Sequence, residues 1–497
     1  MTFTLLDWII VAAYLGLAVW LGLRARKYVE DLSGYIVAGR RVKVALGVAT
    51  LTATEVGTVT FMYYGELGYV SGFACFVIGL ISLVAFLIIG KTGFIITGLR
   101  RLRVMTIPEF YELRYNRNVR WLGGVVLFLG GVLNMGVFLK FDGIFLSETM
   151  GFGPEALTAI MIVMLVIVVA YTILGGMFSV VVTDFMQFVV IAIGMLIATI
   201  AALVHVSPME ISNKVFEQFG NAGFDPTSSE QFGWAFIIWV FLSSMAGSAL
   251  WQPAASKALS SASAEAGRKV YLYSALAYAG RAMIPMFWGV AALVYLGKID
   301  DTVAAMPRFL AQTVPTGFLG LIVAAMLAAS MSTYSAYLLS WSTVAARDIL
   351  GGLRREPMSE TKTISLIRKF VFGIGAFLLL FGLLYKIPDT AFQYIYITGT
   401  MYTAGAFGAV ALGLYWKKAN VIGAYCSLIL GAFAPALFLV LEKFRETLPG
   451  WLKFAGDVNV TGYLSFVLSI GGMILGSLLT QSSHPPKALT PKDEEKD

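Results

Sequence analysis

Glu55 sits near the middle of an otherwise apolar run, residues 44–64, within Thr52-Ala53-Thr54-Glu55-Val56-Gly57-Thr58. An ionised carboxylate inside hydrocarbon is costly unless it is paired, hydrated or close to a cation. Gly57 and the flanking threonines favour local unwinding, which frees backbone carbonyls to act as ligands for a hard cation. The competing account is a packing carboxylate held by a neighbouring Lys or Arg. A second stretch, Ala328-Ala329-Ser330-Met331-Ser332-Thr333-Tyr334-Ser335, places Ala329, Ser332 and Thr333 at i, i+3 and i+4 on one helix face. Alone, that pattern reads as small-residue packing. Beside a broken helix bearing Glu55, two hydroxyls and three backbone carbonyls make a neutral five-oxygen cage suited to a monovalent cation.

The other charges inside apolar runs are Asp184, Arg281, Lys91, Lys140 and Asp142. Asp184 falls near the inner third of its run, as part of an ion exit route or as an interface residue. Arg281 lies about eleven residues into its run and four before Pro285. A guanidinium at that depth must face a cavity or a carboxylate, with Asp184 and Glu55 as the candidate partners. Lys140 and Asp142 fall toward the outer end of their run and read as a solvated or mutually compensated pair. Lys91 ends a stretch like a phosphate loop, but Ala85 replaces the first glycine and no strand precedes it, so no ATP motor is encoded. Cys75 and Cys426 lie inside apolar runs, and His205 and His484 are the two histidines, which excludes a disulfide framework and zinc-protease logic.

These residues sit on elements that composition makes membrane-spanning: 58% hydrophobic, 13% charged, mean hydropathy +0.80. Runs of roughly 20 apolar residues, the length a helix needs to cross a hydrocarbon core, recur along the chain. About 13 spans are expected: 5–23, 44–64, 72–98, 121–150, 156–174, 177–206, 232–251, 270–296, 317–345, 364–385, 391–415, 421–441 and 460–479. The fold class is therefore an all-α polytopic membrane protein. Asp7 at the start of the first span and Arg24, Arg26 and Lys27 after it mark a retained helix. About 26 of the 36 Lys and Arg fall on the side of Arg24, which places the N-terminus outside and the C-terminus in the cytoplasm of a cell (inner) membrane protein. The net charge of +7 is mostly this bias, and nucleic acid is not an expected partner.

Spans two to six and seven to eleven make two sets of five that enter from opposite sides, the topology of an inverted repeat with a site between its halves. The expected organisation is an N-terminal helix and loop over 1–43, a first repeat over 44–206, an extracellular loop over 207–230, an inverted second repeat over 231–416, two further helices over 417–481 and a tail over 482–497. The first repeat opens on the break at Glu55 and the second on a break at Trp251-Gln252-Pro253. Thr58, Thr60, Trp251 and Gln252, at those breaks, are candidates to contact a solute.

Several motifs, in order, resemble the sodium/solute symporter family, which includes the bacterial proline, galactose and sialic acid symporters. The likeness covers roughly residues 34–431 and runs through Gly39-Arg40-Arg41, Arg100-Arg101-Leu102, Thr106-Ile107-Pro108-Glu109, Arg114-Tyr115, and Tyr171-Thr172 with Gly175-Gly176 and Thr183-Asp184. It continues through Gln252-Pro253, Ala328-Ala329 with Met331-Ser332-Thr333, Asp348, and Trp416-Lys417-Lys418-Ala419-Asn420 with Gly423. The resemblance implies sodium-coupled uptake of a small polar organic solute (an amino acid, carboxylate or sugar), with no enzymatic activity, no cofactor besides the coupling ion and no obligate protein partner. It implies a sodium site from the carbonyls of Ala53, Val56 and Ala329 and the hydroxyls of Ser332 and Thr333. Glu55 aligns with a sodium-linked carboxylate of the proline symporter. Asp184 and Ser335 align with part of a second sodium site in the sialic acid branch, where that branch has serine at the position of Ala336. Asn134 stands where the sialic acid carrier has a carboxylate-binding Arg, and Arg281 where the galactose symporter has a substrate-contacting Lys. The alternative class is a transporter-like membrane sensor acting through a separate signalling partner.

Overall fold

The computed structural model describes residues 3–25, 31–229, 232–354, 356, 358–385, 391–444 and 447–489. The Arg26 and Lys27 part of the first basic flank and the tail beyond residue 489 lie outside the described residues. Among the described residues the regular elements are helices, and one isolated bridge joins Val42 to Ser261. A helix satisfies its own N–H and C=O groups, which is what hydrocarbon demands of so apolar a chain.

The principal helices are α1 (Leu5–Ala25), α2 (Val44–Glu55), α3 (Thr58–Ser71), α4 (Val77–Thr92), α5 (Arg117–Met135), α6 (Phe138–Met150), α7 (Leu157–His205), α8 (Gly233–Leu250), α9 (Gln252–Leu259), α10 (Ala264–Leu296), α11 (Phe318–Thr343), α12 (Glu360–Leu384), α13 (Ala391–Tyr415), α14 (Val421–Leu441) and α15 (Val458–Leu479). Eleven segments among the described residues are long and apolar enough to cross a bilayer, and Val44–Glu55 and Leu157–Ala170 are shorter apolar helices. One of the two missing spans is the shorter Leu157–Ala170, which precedes the turn at Gly176, and the other has a local cause. The break after Glu55 detaches α2 as a short piece and leaves α3 continuous with α4 in one apolar segment, Thr58–Thr92.

α11 is the axis of the molecule: 89% of its most apolar window is buried, against 28% for α1 and α12, whose outer faces remain for lipid. Two helices are interrupted. α2 ends where Val56 leaves helical geometry (φ −108°, ψ 77°) and Gly57 is extended, and α3 starts at Thr58. α8 ends at Trp251 (ψ 116°), and Pro253 opens α9, where its missing N–H costs nothing. α7 turns at Gly176 (φ 55°), where a Cβ would meet the Tyr35 ring at 2.6 Å, so only glycine serves there. The peripheral α1 is tied to the axis by Asp7, wholly buried, whose Oδ1 accepts the amide protons of Gly317 (2.9 Å) and Gly320 (2.7 Å) at the start of α11. That carboxylate caps a helix more than three hundred residues away in sequence.

Candidate functional site

The break between α2 and α3 strips three carbonyls of their helical partners, and a side chain from another helix meets each one. The Gly57 amide, which would continue the ladder to Ala53, donates to Thr60 Oγ1 instead (3.3 Å). Ser332 Oγ on α11 then donates to the Ala53 carbonyl (2.8 Å) and lies equally close to the Ala329 carbonyl (2.9 Å). Thr333 Oγ1 donates to the Thr54 carbonyl (3.0 Å), and Arg281 Nη1 on α10 to the Glu55 carbonyl (2.7 Å). Gly57 permits the approach, since a Cβ there would lie 2.7 Å from Thr333 Oγ1.

Ala53, Ala329 and Ser332, gathered in sequence only by spacing and resemblance, therefore converge in three dimensions, wholly buried. Val56 sits at the break and Thr333 one turn position from Ala329, both buried. Thr333 bonds the Thr54 carbonyl, a partner that spacing did not suggest. Ser335 Oγ donates to the Ser332 carbonyl of its own helix (3.0 Å).

Beside this cluster lies a cavity of about 880 Å³, its open mouth included, whose wall takes in Glu55, Thr60, Asn134, Trp251, Arg281 and Thr333. Arg281 lies over the Tyr278 ring (4.2 Å to the ring centre) and pairs with Glu55 Oε2 at 3.4 Å, so Glu55 is one of the two partners expected for it. Glu55 Oε1 is buried without a hydrogen-bond partner. Asn134 is positioned by its amide, which donates to the Ile395 carbonyl (2.8 Å) and Thr398 Oγ1 (3.1 Å).

Thr58 and Gln252 point elsewhere. Thr58 Oγ1 reaches the Met326 carbonyl and Ser330 on α11. Gln252 accepts from the Ile107 amide (2.8 Å) and donates to Ser256 Oγ (3.0 Å), bracing the second break.

Asp184 is wholly buried on α7, which removes the interface account. It accepts from Lys257 Nζ of α9 (3.0 Å), from Thr50 Oγ1, and from Thr54 Oγ1 at 3.4 Å. Lys257 is itself wholly buried, which a lysine tolerates only when paired. Its partner went unread in sequence, although a lysine inside an alanine-rich turn after Gln252-Pro253 was the available signal. Asp142 and Lys140 do not form the solvated pair expected of them. Asp142 is 3% exposed against Ser330, while Lys140 turns to the Tyr385 carbonyl (3.0 Å), because residues two apart leave a helix on different faces.

A broken helix, an oxygen cluster and an adjoining cavity inside a polytopic bundle are the features by which carriers place ion and solute sites at one discontinuous element. The chain belongs to the sodium:solute symporter family, whose model matches residues 35–431, and it is thus a transporter. Among curated proteins it is 24% identical to the sodium/sialic acid symporter NanT of Aliivibrio fischeri, over 93% of this chain and 90% of that one. It is 23% identical to the sodium/pantothenate symporter of Haemophilus influenzae (84% and 88% covered) and 24% to the sodium/glucose cotransporter of Vibrio parahaemolyticus (88% and 84%). Its fold matches the substrate-bound outward-open state of a Na⁺-coupled sialic acid symporter with a TM-score of 0.80, at 20% identity over 98% of this chain and 99% of that one.

Proposed function

We propose that a single sodium ion bound by the carbonyls of Ala53, Val56 and Ala329 and the hydroxyls of Ser332 and Thr333 drives uptake of a small polar solute held in the adjoining cavity. The observation that carries this is the freed Ala53 carbonyl, 2.8 Å from Ser332 Oγ, which is in turn 2.9 Å from the Ala329 carbonyl. Neutral oxygens converging in a buried, membrane-embedded break suit a monovalent hard cation. Coupling follows from shared residues. Thr333 and Glu55 belong to both cluster and cavity, and Arg281 grips the backbone at Glu55 while facing the cavity.

Lys257 supplies the positive charge that Asp184 requires, so Asp184 and Ser335 hold no second coupled sodium. Arg281 is the cation on the cavity wall, and it suits a carboxylate or several hydroxyls. The relatives named above act on sialic acid, pantothenate and glucose, and Asn134, spent on α13, offers no charge to a sialic acid carboxylate. Thirteen crossings follow if α2 with α3 and the first arm of α7 each cross, the Lys and Arg bias favours an N-terminus outside, and the breaks after Glu55 and Leu250 then open two inverted five-helix repeats. The experiment is a screen of labelled amino acids, carboxylates and sugars in proteoliposomes with and without an inward sodium gradient. Accumulation that needs the gradient supports the reading, and downhill flux alone would mark a channel.

A further inference from the structure

Asp142 on α6 faces a small enclosure between α3, α6 and α11, which Gly57, Thr58, Ser330, Thr333 and Tyr334 also line. Its Oδ1 lies 2.5 Å from Ser330 Oγ. Ser330 Oγ lies 2.7 Å from Thr58 Oγ1, and Thr58 Oγ1 lies 2.7 Å from the Met326 carbonyl oxygen. Each contact of that length needs a proton between its two oxygens. Ser330 and Thr58 own one hydroxyl proton apiece, and the carbonyl owns none. With Asp142 as a carboxylate, two protons serve three contacts and one pair of oxygens meets bare.

A carboxylic acid supplies the third proton. Asp142 then donates to Ser330, Ser330 to Thr58, and Thr58 to the Met326 carbonyl, so every contact is satisfied in one direction. We infer that Asp142 is a proton-binding site: the neutral acid heads a hydroxyl chain that clamps α6 to α11 and α3 beside the sodium cluster, and loss of the proton releases the clamp.

Tyr334 apart, the charged groups on the helices packed around α6 are engaged elsewhere. Tyr334 of α11 faces the acid. Glu66 of α3 bonds Thr302 and the Ala391 amide, Arg308 bonds Glu148 of α6, and Asp184 of α7 bonds Lys257. Lys140 of α6 reaches the Tyr385 carbonyl, Arg368 of α12 lies by the Tyr35 ring, and Asp301 is exposed.

The test compares the wild type with Asp142→Asn, whose amide N–H can head the same chain without titrating. A clamp that needs the proton is complete at low pH and is lost as pH rises, whereas Asp142→Asn keeps it throughout. The melting temperature of the purified wild type should therefore fall with rising pH relative to that of Asp142→Asn. At neutral pH the infrared band of a protonated carboxyl should be present in the wild type and reduced in Asp142→Asn. Parallel pH profiles, or an unchanged infrared band, overturn the inference. So does an increase of about tenfold in the sodium needed for half-maximal thermal stabilisation of Asp142→Asn, the magnitude expected if an ionised sodium ligand had been removed. None of these readouts needs a solute, and the pH and infrared readouts do not depend on where the coupling sodium sits.

Discussion

Ser332→Ala and Thr333→Ala should weaken sodium binding unequally, although both hydroxyls are assigned to the ion. Ser332 Oγ already stands between two cage carbonyls, at 2.8 Å and 2.9 Å, and when its proton turns away both carbonyls gain the ion in its place. Removing it deletes one of the five oxygens, and a polar contact to a charge contributes about 1.5–3 kcal/mol, which is about 10- to 100-fold in half-saturating sodium. Thr333 Oγ1 must first release the Thr54 carbonyl at 3.0 Å, a neutral bond that contributes about 1 kcal/mol. Its net contribution is smaller by that amount, so Thr333→Ala should cost about 3- to 20-fold. A ligand that binds only the folded state raises the melting temperature with its concentration. Sodium titrations of purified protein against choline at constant ionic strength thus give both constants without knowledge of the solute. An unchanged sodium titration in folded Ser332→Ala, or a larger effect from Thr333→Ala, would refute the assignment.

Lys257→Met should destabilise the protein by about 3–5 kcal/mol, because it leaves Asp184 buried without its cation, and Lys257→Met with Asp184→Asn should recover most of that in thermal unfolding. In the wild type, charge moved per neutral solute should be one; at about 100 mV and a tenfold sodium gradient the accumulation limit is then several hundredfold, and a ratio of two would restore a second sodium site. Gly57→Ala should raise the sodium requirement by about tenfold, since the new methyl would lie 2.7 Å from Thr333 Oγ1 and push it from the break; an unaltered titration in the folded variant would show that this approach does not matter. Arg281→Lys should raise the half-saturating concentration of the solute found by the screen and leave sodium activation largely intact, whereas a shift in sodium dependence alone would make Arg281 only a clamp on Glu55.

Period and composition were enough to read an all-helical membrane chain, and a glycine beside threonines was enough to locate the break after Glu55. Spacing on α11 brought Ala329, Ser332 and Thr333 to one face, and the fold brings that face to Ala53. The partners of single atoms were beyond such reading. Which carbonyl Thr333 takes depends on how far α2 unwinds, and that is fixed by Gly57 donating to Thr60. The pairing of Asp184 with Lys257 joins positions 73 residues apart on helices whose mutual placement no local pattern specifies. Asp142 misled for a related reason: nearness to the end of a helix suggested water, but depth is set by neighbouring helices, and α11 covers it.

The tie from Asp7 to the first turn of α11 bears on how the ion site can open. Its two bonds, to the Gly317 and Gly320 amides, anchor the Ser332-bearing helix to a separate outer helix. The opposite side of the oxygen cluster hangs on two unwound residues, Val56 and Gly57, and on side-chain contacts to the carbonyls just before them. The cluster is thus a latch with one jaw bolted to the frame and one on a soft hinge. Small rotations at residues 56–57 alter its gape with little repacking of the stiff jaw, and the work of cycling it falls on the hinge.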